Sequence, residues 1–247
     1  MLPEAHEVNQ INEVEQVDQV NEVEQVEEDQ TTQYPSQPTS EEYFDNEENL
    51  KLWKQARETA QMLEDRLESD NWELVKEEDD MKVYKTDSDK GQVVCKRLAT
   101  INANIDVCVE KLKDLDIYKQ MNDRIEKIEV IKEISTKSSL IYQKMKGMLV
   151  VSPRDLCYIK THFPLRNGNH VVIDASVEHS ECPEVNKVVR AGTKNFYMLK
   201  RISDDQTELL NFLNIDLKGS IPNFVISKIS QKQFDSLKKL QSILESA

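Results

Sequence analysis

Basic residues are missing from the start of this chain. Residues 1–50 of the 247 hold 15 Asp or Glu and no Lys or Arg. The other 197 residues hold 31 acidic and 32 basic side chains, so the net charge of −14 belongs to the N-terminal segment. A nucleic-acid-binding protein needs a concentrated basic surface. The nearly neutral remainder has none, so we expect no nucleic-acid partner.

Long apolar runs are also absent. No stretch approaches the roughly 18 apolar residues of a membrane-spanning helix, and the first residues lack the basic start and apolar core of a secretion signal. The four cysteines, Cys95, Cys108, Cys157 and Cys182, form no C-x-x-C pair. Widely spaced cysteines without a secretion signal are typical of reduced thiols in the cytoplasm. We therefore expect a cytoplasmic protein with no metal site and no cofactor.

The first 45 residues have the composition of a disordered tail. Val or Ile recurs at every third position from Val8 to Val26, between Asn, Glu, Gln and Asp. A helix advances about 100° per residue, so a three-residue step builds no stable face, and a strand needs a period of two. We predict an acidic, disordered tail over residues 1–45 and a globular domain over residues 46–247. A segment that folds on binding a partner is the alternative.

Amphipathic helices are predicted at both ends of the domain. Apolar residues from Trp53 to Leu67 step by three and four, which predicts a first helix. From Pro222, the apolar positions as far as Leu244 fall within one arc of about 120°, which predicts a long final helix. Shorter helices are predicted over residues 104–114 and 116–121.

Strand patterns fill the rest of the domain. Nine segments qualify by their apolar content or alternation: 72–75, 81–84, 93–100, 125–134, 139–145, 155–163, 170–177, 195–202 and 208–217. Short polar turns join most neighbours, so antiparallel pairing is expected. The predicted fold class is α+β, with one curved antiparallel sheet of about nine strands. A strongly twisted sheet curls, and the long C-terminal helix can lie across its open side.

Four short segments in the second half carry a family resemblance. They are Ser152-Pro153-Arg154-Asp155-Leu156-Cys157-Tyr158, Ser176-Val177-Glu178-His179, Val189-Arg190-Ala191 and Ile215-Asp216-Leu217-Lys218-Gly219-Ser220-Ile221-Pro222. In this order and spacing they resemble the START family, the lipid-transfer domains related to the steroidogenic acute regulatory protein. The resemblance implies a helix-grip fold, in which one lipid lies in an apolar cavity between the sheet and the C-terminal helix. None of the segments is a catalytic motif.

The resemblance also implies where the lipid headgroup binds. It places inward the face that carries Tyr158, Lys160 and His162. Lys160 stands where sterol-binding relatives carry an inward Arg, and Gln143 lies near the position of their acid. We therefore expect Lys160 and Gln143 to hold a hydroxyl or headgroup. A lysine that reaches solvent is the alternative.

Tyr118 and Asn122 mark a departure from part of the family. Members that bind phosphatidylcholine carry an Arg and an Asp at the matching positions, and the two charges cooperate on the phosphocholine group. Both charges are absent here. This lowers the expectation of phosphatidylcholine, and the two positions stay in the predicted lipid-binding set.

A gate is implied on either side of the predicted cavity. In the family, the loop before Pro-Arg-Asp closes over the cavity beside the final helix. Here that loop is apolar, so it packs on the helix or touches a membrane when it opens. The predicted gate residues are Met148, Leu149, Val150, Val225 and Ile229. Structural ion pairs are expected for Arg154, Asp155, Arg190 and Asp216.

The leading functional interpretation is lipid binding and transfer without catalysis. We expect a monomer in the cytoplasm, peripheral to membranes, that encloses one sterol, ceramide or phospholipid and touches membranes transiently. Two alternatives stay open. One is a lipid-sensing scaffold that recruits partners through its acidic tail. The other is a helix-grip enzyme acting on a hydrophobic substrate, for which Lys160 with His162 is the only nearby candidate pair.

Overall fold

The computed structural model of the chain describes residues 33–35, 37–38, 42, 44–89, 91–148 and 150–246. The described helices are α1 (Glu47–Ser69), α2 (Ile105–Lys113), α3 (Asp116–Met121), α4 (Asn223–Gln231) and α5 (Gln233–Glu245). The described strands are β1 (Glu73–Glu78), β2 (Met81–Lys85), β3 (Gln92–Ile101), β4 (Ile125–Ser135), β5 (Ser138–Met145), β6 (Arg154–Pro164), β7 (His170–Ser176), β8 (Val189–Arg190), β9 (Gly192–Arg201) and β10 (Thr207–Asp216). The α+β prediction is confirmed. The period-three repeat lies outside the described residues.

One open antiparallel sheet forms the body of the domain. Its strand order is β1-β2-β3-β10-β9-β7-β6-β5-β4, and the two-residue β8 pairs with β6 beside this path. The β8 pairing is parallel, and the sequence patterns do not predict it. Strand β10 pairs with both β3 and β9 in the middle of the sheet. The chain therefore leaves the centre of the sheet as it enters α4, which positions α4 and α5 across one face.

Both faces of the sheet are covered by apolar side chains. Helix α1 packs on one face, where Trp53 and Ala60 are fully buried against Phe163 and Phe212. Helices α2, α3 and α5 pack on the opposite face, which we call the inner face, and Leu237 is fully buried there. Burial on both sides explains why β6 and β7 are apolar nearly throughout.

The first helix begins about two turns before the apolar stripe that predicts it, and Asn46 caps its start. The Asn46 side chain accepts a hydrogen bond from the backbone N–H of Asn49 at 3.0 Å. Glu47 and Glu48 follow in the first turn, where carboxylates stabilise the positive end of the helix dipole. These contacts fix the start of α1.

The C-terminal helix is divided at Lys232. The Lys232 N–H donates to the carbonyl of Ile229 at 3.2 Å, a tighter turn than an α-helix makes. No Pro or Gly is present at this point, so periodicity alone predicts one continuous helix. At the far end, the Lys111 ammonium of α2 donates to the carbonyls of Ile243 and Leu244 at 3.0 and 3.2 Å. The end of α5 is thus attached to α2.

The folded domain includes residues before the predicted boundary at residue 46. Tyr34 is fully buried, and its ring packs edge-on against that of Phe163 at 5.9 Å. Arg57 donates to the Pro35 carbonyl at 2.7 Å, and the Arg166 N–H donates to the Gln33 carbonyl at 3.3 Å. The prediction of a tail through residue 45 misplaces these residues, because the polar, Pro-containing stretch around Tyr34 has the composition of a linker.

Candidate functional site

A buried ion pair lies on the inner face of the sheet. Lys160 of β6 and Asp174 of β7 are directly opposite in the strand register. The Lys160 Nζ is 2.8 Å from Asp174 Oδ1, and the two side chains are only 7% and 3% exposed. Lys160 points inward, as the family resemblance implies. A buried charge pair is retained only where further hydrogen bonds satisfy it.

Helix α3 supplies a tyrosine to this pair. The Lys160 ammonium donates to the Tyr118 hydroxyl and lies 4.6 Å from the centre of its ring. The Tyr118 hydroxyl in turn donates to Asp174 Oδ2 at 2.9 Å. The pKa of Tyr118 is raised well above its usual range, mainly by burial and to a smaller extent by the negative charge of Asp174. The phenol is therefore a permanent hydrogen-bond donor at neutral pH. We call Lys160, Asp174 and Tyr118 the central cluster.

The hydrogen-bond network extends across two more strands. The Asn195 amide of β9 donates to Asp174 Oδ2 at 3.1 Å and to the Tyr197 hydroxyl at 2.8 Å. The Asn211 amide of β10 donates to Asn195 Oδ1 at 2.8 Å. All of these side chains are buried. A continuous row of polar groups thus crosses the inner face from β6 to β10.

Gln143 and Tyr158 form a neighbouring pair. The Tyr158 hydroxyl donates to Gln143 Oε1 at 3.2 Å. The hydrogen bonds of Lys160 go instead to Asp174 and Tyr118, so Gln143 is not its partner. The sequence reasoning missed Asp174. The sequence does mark Asp174, because it is the single acidic residue inside the apolar run Val171–Ala175. Its pairing with Lys160 follows only from the register of β6 and β7.

His162 and Asn122 lie apart from the central cluster. His162 Nε2 is 2.8 Å from His170 Nδ1, and the two rings stack with centres 5.1 Å apart. Burial, and then His170, lower the pKa of His162 to about 3, so its ring is neutral. The Asn122 side chain follows α3 and accepts from the backbone N–H of Arg124 at 3.1 Å. Neither residue shares a hydrogen bond with Lys160.

Apolar groups surround the central cluster. Helix α5 packs on the inner face with residues that are nearly or fully buried: Phe234, Leu237, Leu240 and Leu244. Two open grooves, of about 330 and 400 Å³, lie elsewhere, one near Asp87 and the other between α3 and α5. The central cluster is therefore a small group of polar side chains with apolar surroundings.

Three of the five predicted gate residues, Met148, Val225 and Ile229, lie in a separate apolar cluster. Met148 packs beside Leu217, Ile221 and Val225, and Ile229 joins the same group. The Met148 and Val151 backbones exchange two hydrogen bonds, of 2.8 and 2.7 Å. We call this group the gate cluster. Leu149 lies outside the described residues.

Two apolar side chains project beside the gate cluster. Val150 is 74% exposed in the loop before β6, and Phe224 is 58% exposed in the first turn of α4. Val150 lies in the loop before β6 and Phe224 lies in α4, and the gate cluster contains residues of both segments.

The residues expected to form ion pairs hold the strands near the gate. Arg190 of β8 contacts both oxygens of Asp155, at 2.8 and 3.1 Å. Arg154 donates to carbonyls instead, including those of Leu217 and Lys218 at 3.3 Å each. Asp216 accepts from the Lys218 N–H at 3.0 Å and contacts its ammonium at 2.7 Å. These bonds attach the start of β6 to the segment that leads into α4.

Neither a membrane-spanning helix nor a metal-binding cluster is found among the described residues. Within them, no helix is long and apolar enough to cross a membrane. No group of three or more His, Cys, Asp or Glu side chains among them could hold a metal ion.

The comparisons with known proteins agree with this architecture. The family model of the START domain matches residues 52–246. The ceramide transfer protein of Xenopus tropicalis is 26% identical over 200 residues, which cover 71% of this chain and 32% of that protein. The mitochondrial steroidogenic acute regulatory protein of Oncorhynchus mykiss is 26% identical over 211 residues, which cover 81% of this chain and 72% of that protein. This chain thus spans about a third of the length of the ceramide transfer protein.

A solved structure shows the same fold. The human StAR-related lipid transfer protein 5 superposes with a TM-score of 0.69 at 17% identity, and the match covers 79% of this chain and 97% of that one. The similarity supports the fold and the placement of the helices over the inner face.

Proposed function

We infer that this chain, because it belongs to the START domain family, encloses one lipid between the inner face and the C-terminal helices and carries it between membranes. The observation that carries the proposal is the central cluster, a buried Lys160–Asp174 pair with Tyr118 inside apolar walls. Relatives named for ceramide transfer and for steroidogenic regulation support a lipid of the ceramide or sterol class.

Apolar contact supplies the affinity in this proposal. Each CH₂ group that leaves water contributes about 0.8 kcal/mol. Phe234, Leu237 and Leu240 of α5 already pack on the inner face. A lipid must therefore separate part of α5 from the sheet, and its own apolar atoms replace the contacts that are lost. The polar headgroup then binds along the row of polar groups on the inner face, which begins at the central cluster.

The gate cluster and the exposed residues beside it fit transient membrane contact. Separating Met148 from Val225 would open the inner face at the end where Val150 and Phe224 project. Exposed apolar side chains favour insertion into a lipid surface. We propose that this end docks on the membrane while the lipid passes.

A catalytic role has the weaker support. An acid–base pair needs two groups in hydrogen-bond reach of one reacting atom. Lys160 is bound to Asp174, and His162 is bound to His170. We therefore propose a monomeric carrier rather than an enzyme. A cytoplasmic location fits the four cysteines, all unpaired and buried.

The acidic segment before Gln33 is proposed as a separate region that regulates docking. Its carboxylates would repel anionic lipid headgroups. Deleting residues 1–32 should then speed transfer to anionic vesicles and leave transfer to neutral vesicles unchanged. Equal rates with and without the segment would refute this role.

Transfer between vesicles tests the proposed function. The full chain should move a fluorescent ceramide or sterol from donor to acceptor vesicles, and Lys160→Met should bind it more weakly. Lys200→Met is the matched control, because Lys200 pairs with Glu208 on the surface. No transfer of either lipid by a folded protein would refute the proposal.

A further inference from the structure

The polar row on the inner face holds two positive charges and one negative charge. Lys160 and Asp174 neutralise each other at 2.8 Å. Arg97 of β3 faces the same side, and it is only 2% exposed. It joins the row through Asn211, whose Oδ1 accepts from Arg97 Nε at 2.7 Å. The row therefore carries one surplus positive charge.

The contacts of Arg97 are all with neutral groups. Besides Asn211, its Nη1 donates to the Ser236 hydroxyl of α5 at 3.3 Å. Among the described residues, no carboxylate forms an ion pair with its guanidinium within 4.0 Å, and its hydrogen bonds go to Asn211 and Ser236. A buried charge without a counter-charge is strongly unfavourable. Arginine remains charged in proteins, so it cannot escape this cost by losing a proton.

The neighbouring titratable groups cannot supply the missing negative charge. Burial raises the pKa of Tyr118, Tyr158 and Tyr197 above the usual value for a phenol. Burial also raises the pKa of the Cys95 thiol, and the Arg97 charge offsets only part of this effect. All four groups are neutral at physiological pH. None of the four therefore serves as a counter-charge to Arg97.

A bound cation is disfavoured on the same face. A quaternary ammonium such as choline binds over aromatic rings and beside a carboxylate. Lys160 already occupies that position, 4.6 Å from the Tyr118 ring centre and 2.8 Å from Asp174. A choline headgroup would have to displace it.

We propose that the enclosed lipid carries a net negative headgroup, a phosphate or carboxylate oxyanion that binds Arg97 beside Asn211 and Ser236. The proposal rests on the proposed function and assigns the lipid to an anionic charge class, in place of the neutral ceramide or sterol class that the named relatives suggest. Arg97 then acts as a specificity-determining residue. Its guanidinium offers planar paired donors that suit such an oxyanion.

Lipid selection by the full chain tests the proposal. The protein is incubated with phosphatidylcholine vesicles that contain equal small amounts of ceramide, cholesterol, phosphatidylinositol and oleic acid. Native mass spectrometry then identifies the bound lipid. We expect one of the two anionic lipids to be enriched about tenfold or more, equivalent to about 1.4 kcal/mol. Phosphatidylinositol would identify a phosphate headgroup, and oleate a carboxylate.

Three variants separate lipid recognition from a structural role. Arg97→Met should abolish the enrichment while neutral lipids still bind, and Arg97→Lys should retain part of it. Lys96→Met is the matched control, because Lys96 stands on the same strand but stacks on Trp72 and Tyr84. It should leave selection unchanged. Thermal melting of each variant checks the fold.

Three results overturn the inference, and the third also refutes the proposed function. If the parent binds neutral lipids preferentially, or if Arg97→Met selects lipids as the parent does, the charge class is wrong and the carrier function stands. If the folded parent takes up no lipid at all, both the inference and the proposed function fail.

Discussion

Lys160 and Asp174 are paired across neighbouring strands, with Nζ 2.8 Å from Oδ1, on a sheet face otherwise packed with apolar residues. Water has little access to either side chain, since Lys160 is 7% exposed and Asp174 is 3% exposed. Each charge therefore depends on the other and on Tyr118 for its solvation. This dependence makes the pair sensitive to the removal of one partner.

Asp174→Asn should destabilise the protein strongly. It leaves Lys160 buried without a counter-charge, which costs about 3 to 5 kcal/mol of unfolding free energy. The double variant Asp174→Asn with Lys160→Met should recover most of this loss, because it removes both charges. Urea denaturation measures both values. The exposed pair Lys200–Glu208 is the control, and Glu208→Gln should change stability by less than about 1 kcal/mol. A small effect of Asp174→Asn would show that the cluster is solvated in solution.

Linking the two sides of the gate cluster should stop lipid exchange. Met148 and Val225 pack in one cluster, so Met148→Cys with Val225→Cys can be joined by a short cross-linker that a reductant cleaves. Transfer should fall about tenfold or more when the gate cannot open, and reductant should restore it. Transfer at the parent rate while cross-linked would mean that the lipid leaves by another route.

Charged residues at the exposed apolar positions should slow transfer without loss of stability. Val150→Asp and Phe224→Asp replace side chains that are 74% and 58% exposed, so melting should be nearly unchanged. Binding to vesicles, measured by co-sedimentation, should weaken. Ile202→Asp is the matched control, since Ile202 is 54% exposed in the turn after β9. Equal vesicle binding by all three variants would place membrane contact elsewhere.

The stability of the protein should fall below pH 7 partly because of His162. Its folded pKa is lowered to about 3, while its unfolded value is about 6.5. The unfolded chain therefore binds the proton first, and stability is lost as the pH falls through this window. Between pH 7 and pH 5 the parent should lose about 2 kcal/mol more unfolding free energy than His162→Gln. Identical losses in urea titrations at the two pH values would contradict this.

Alternation along single strands predicted much of the fold. The alternation of β6 put Lys160 and Tyr158 on one face, and the family resemblance placed that face inward. The motif around Arg154 and Asp155 placed the start of that strand. These features are local, since each depends on residues close in sequence. The family resemblance supplied the enclosing helix.

The features that the sequence did not predict depend on distant contacts. Asp174 could be paired with Lys160 only through the register of two strands. Arg97 meets Asn211 across 114 positions of sequence, and Ser236 across 139. Tyr34 is buried by Phe163 and α1, although its own neighbours have the composition of a linker.

Lipid occupancy of the full chain tests the central claim most directly. The protein is purified from a eukaryotic host without added lipid and measured by native mass spectrometry. We predict one lipid per chain, released on denaturation, with a mass that identifies its class. A folded protein that arrives empty and then takes up no lipid from mixed vesicles would contradict the account.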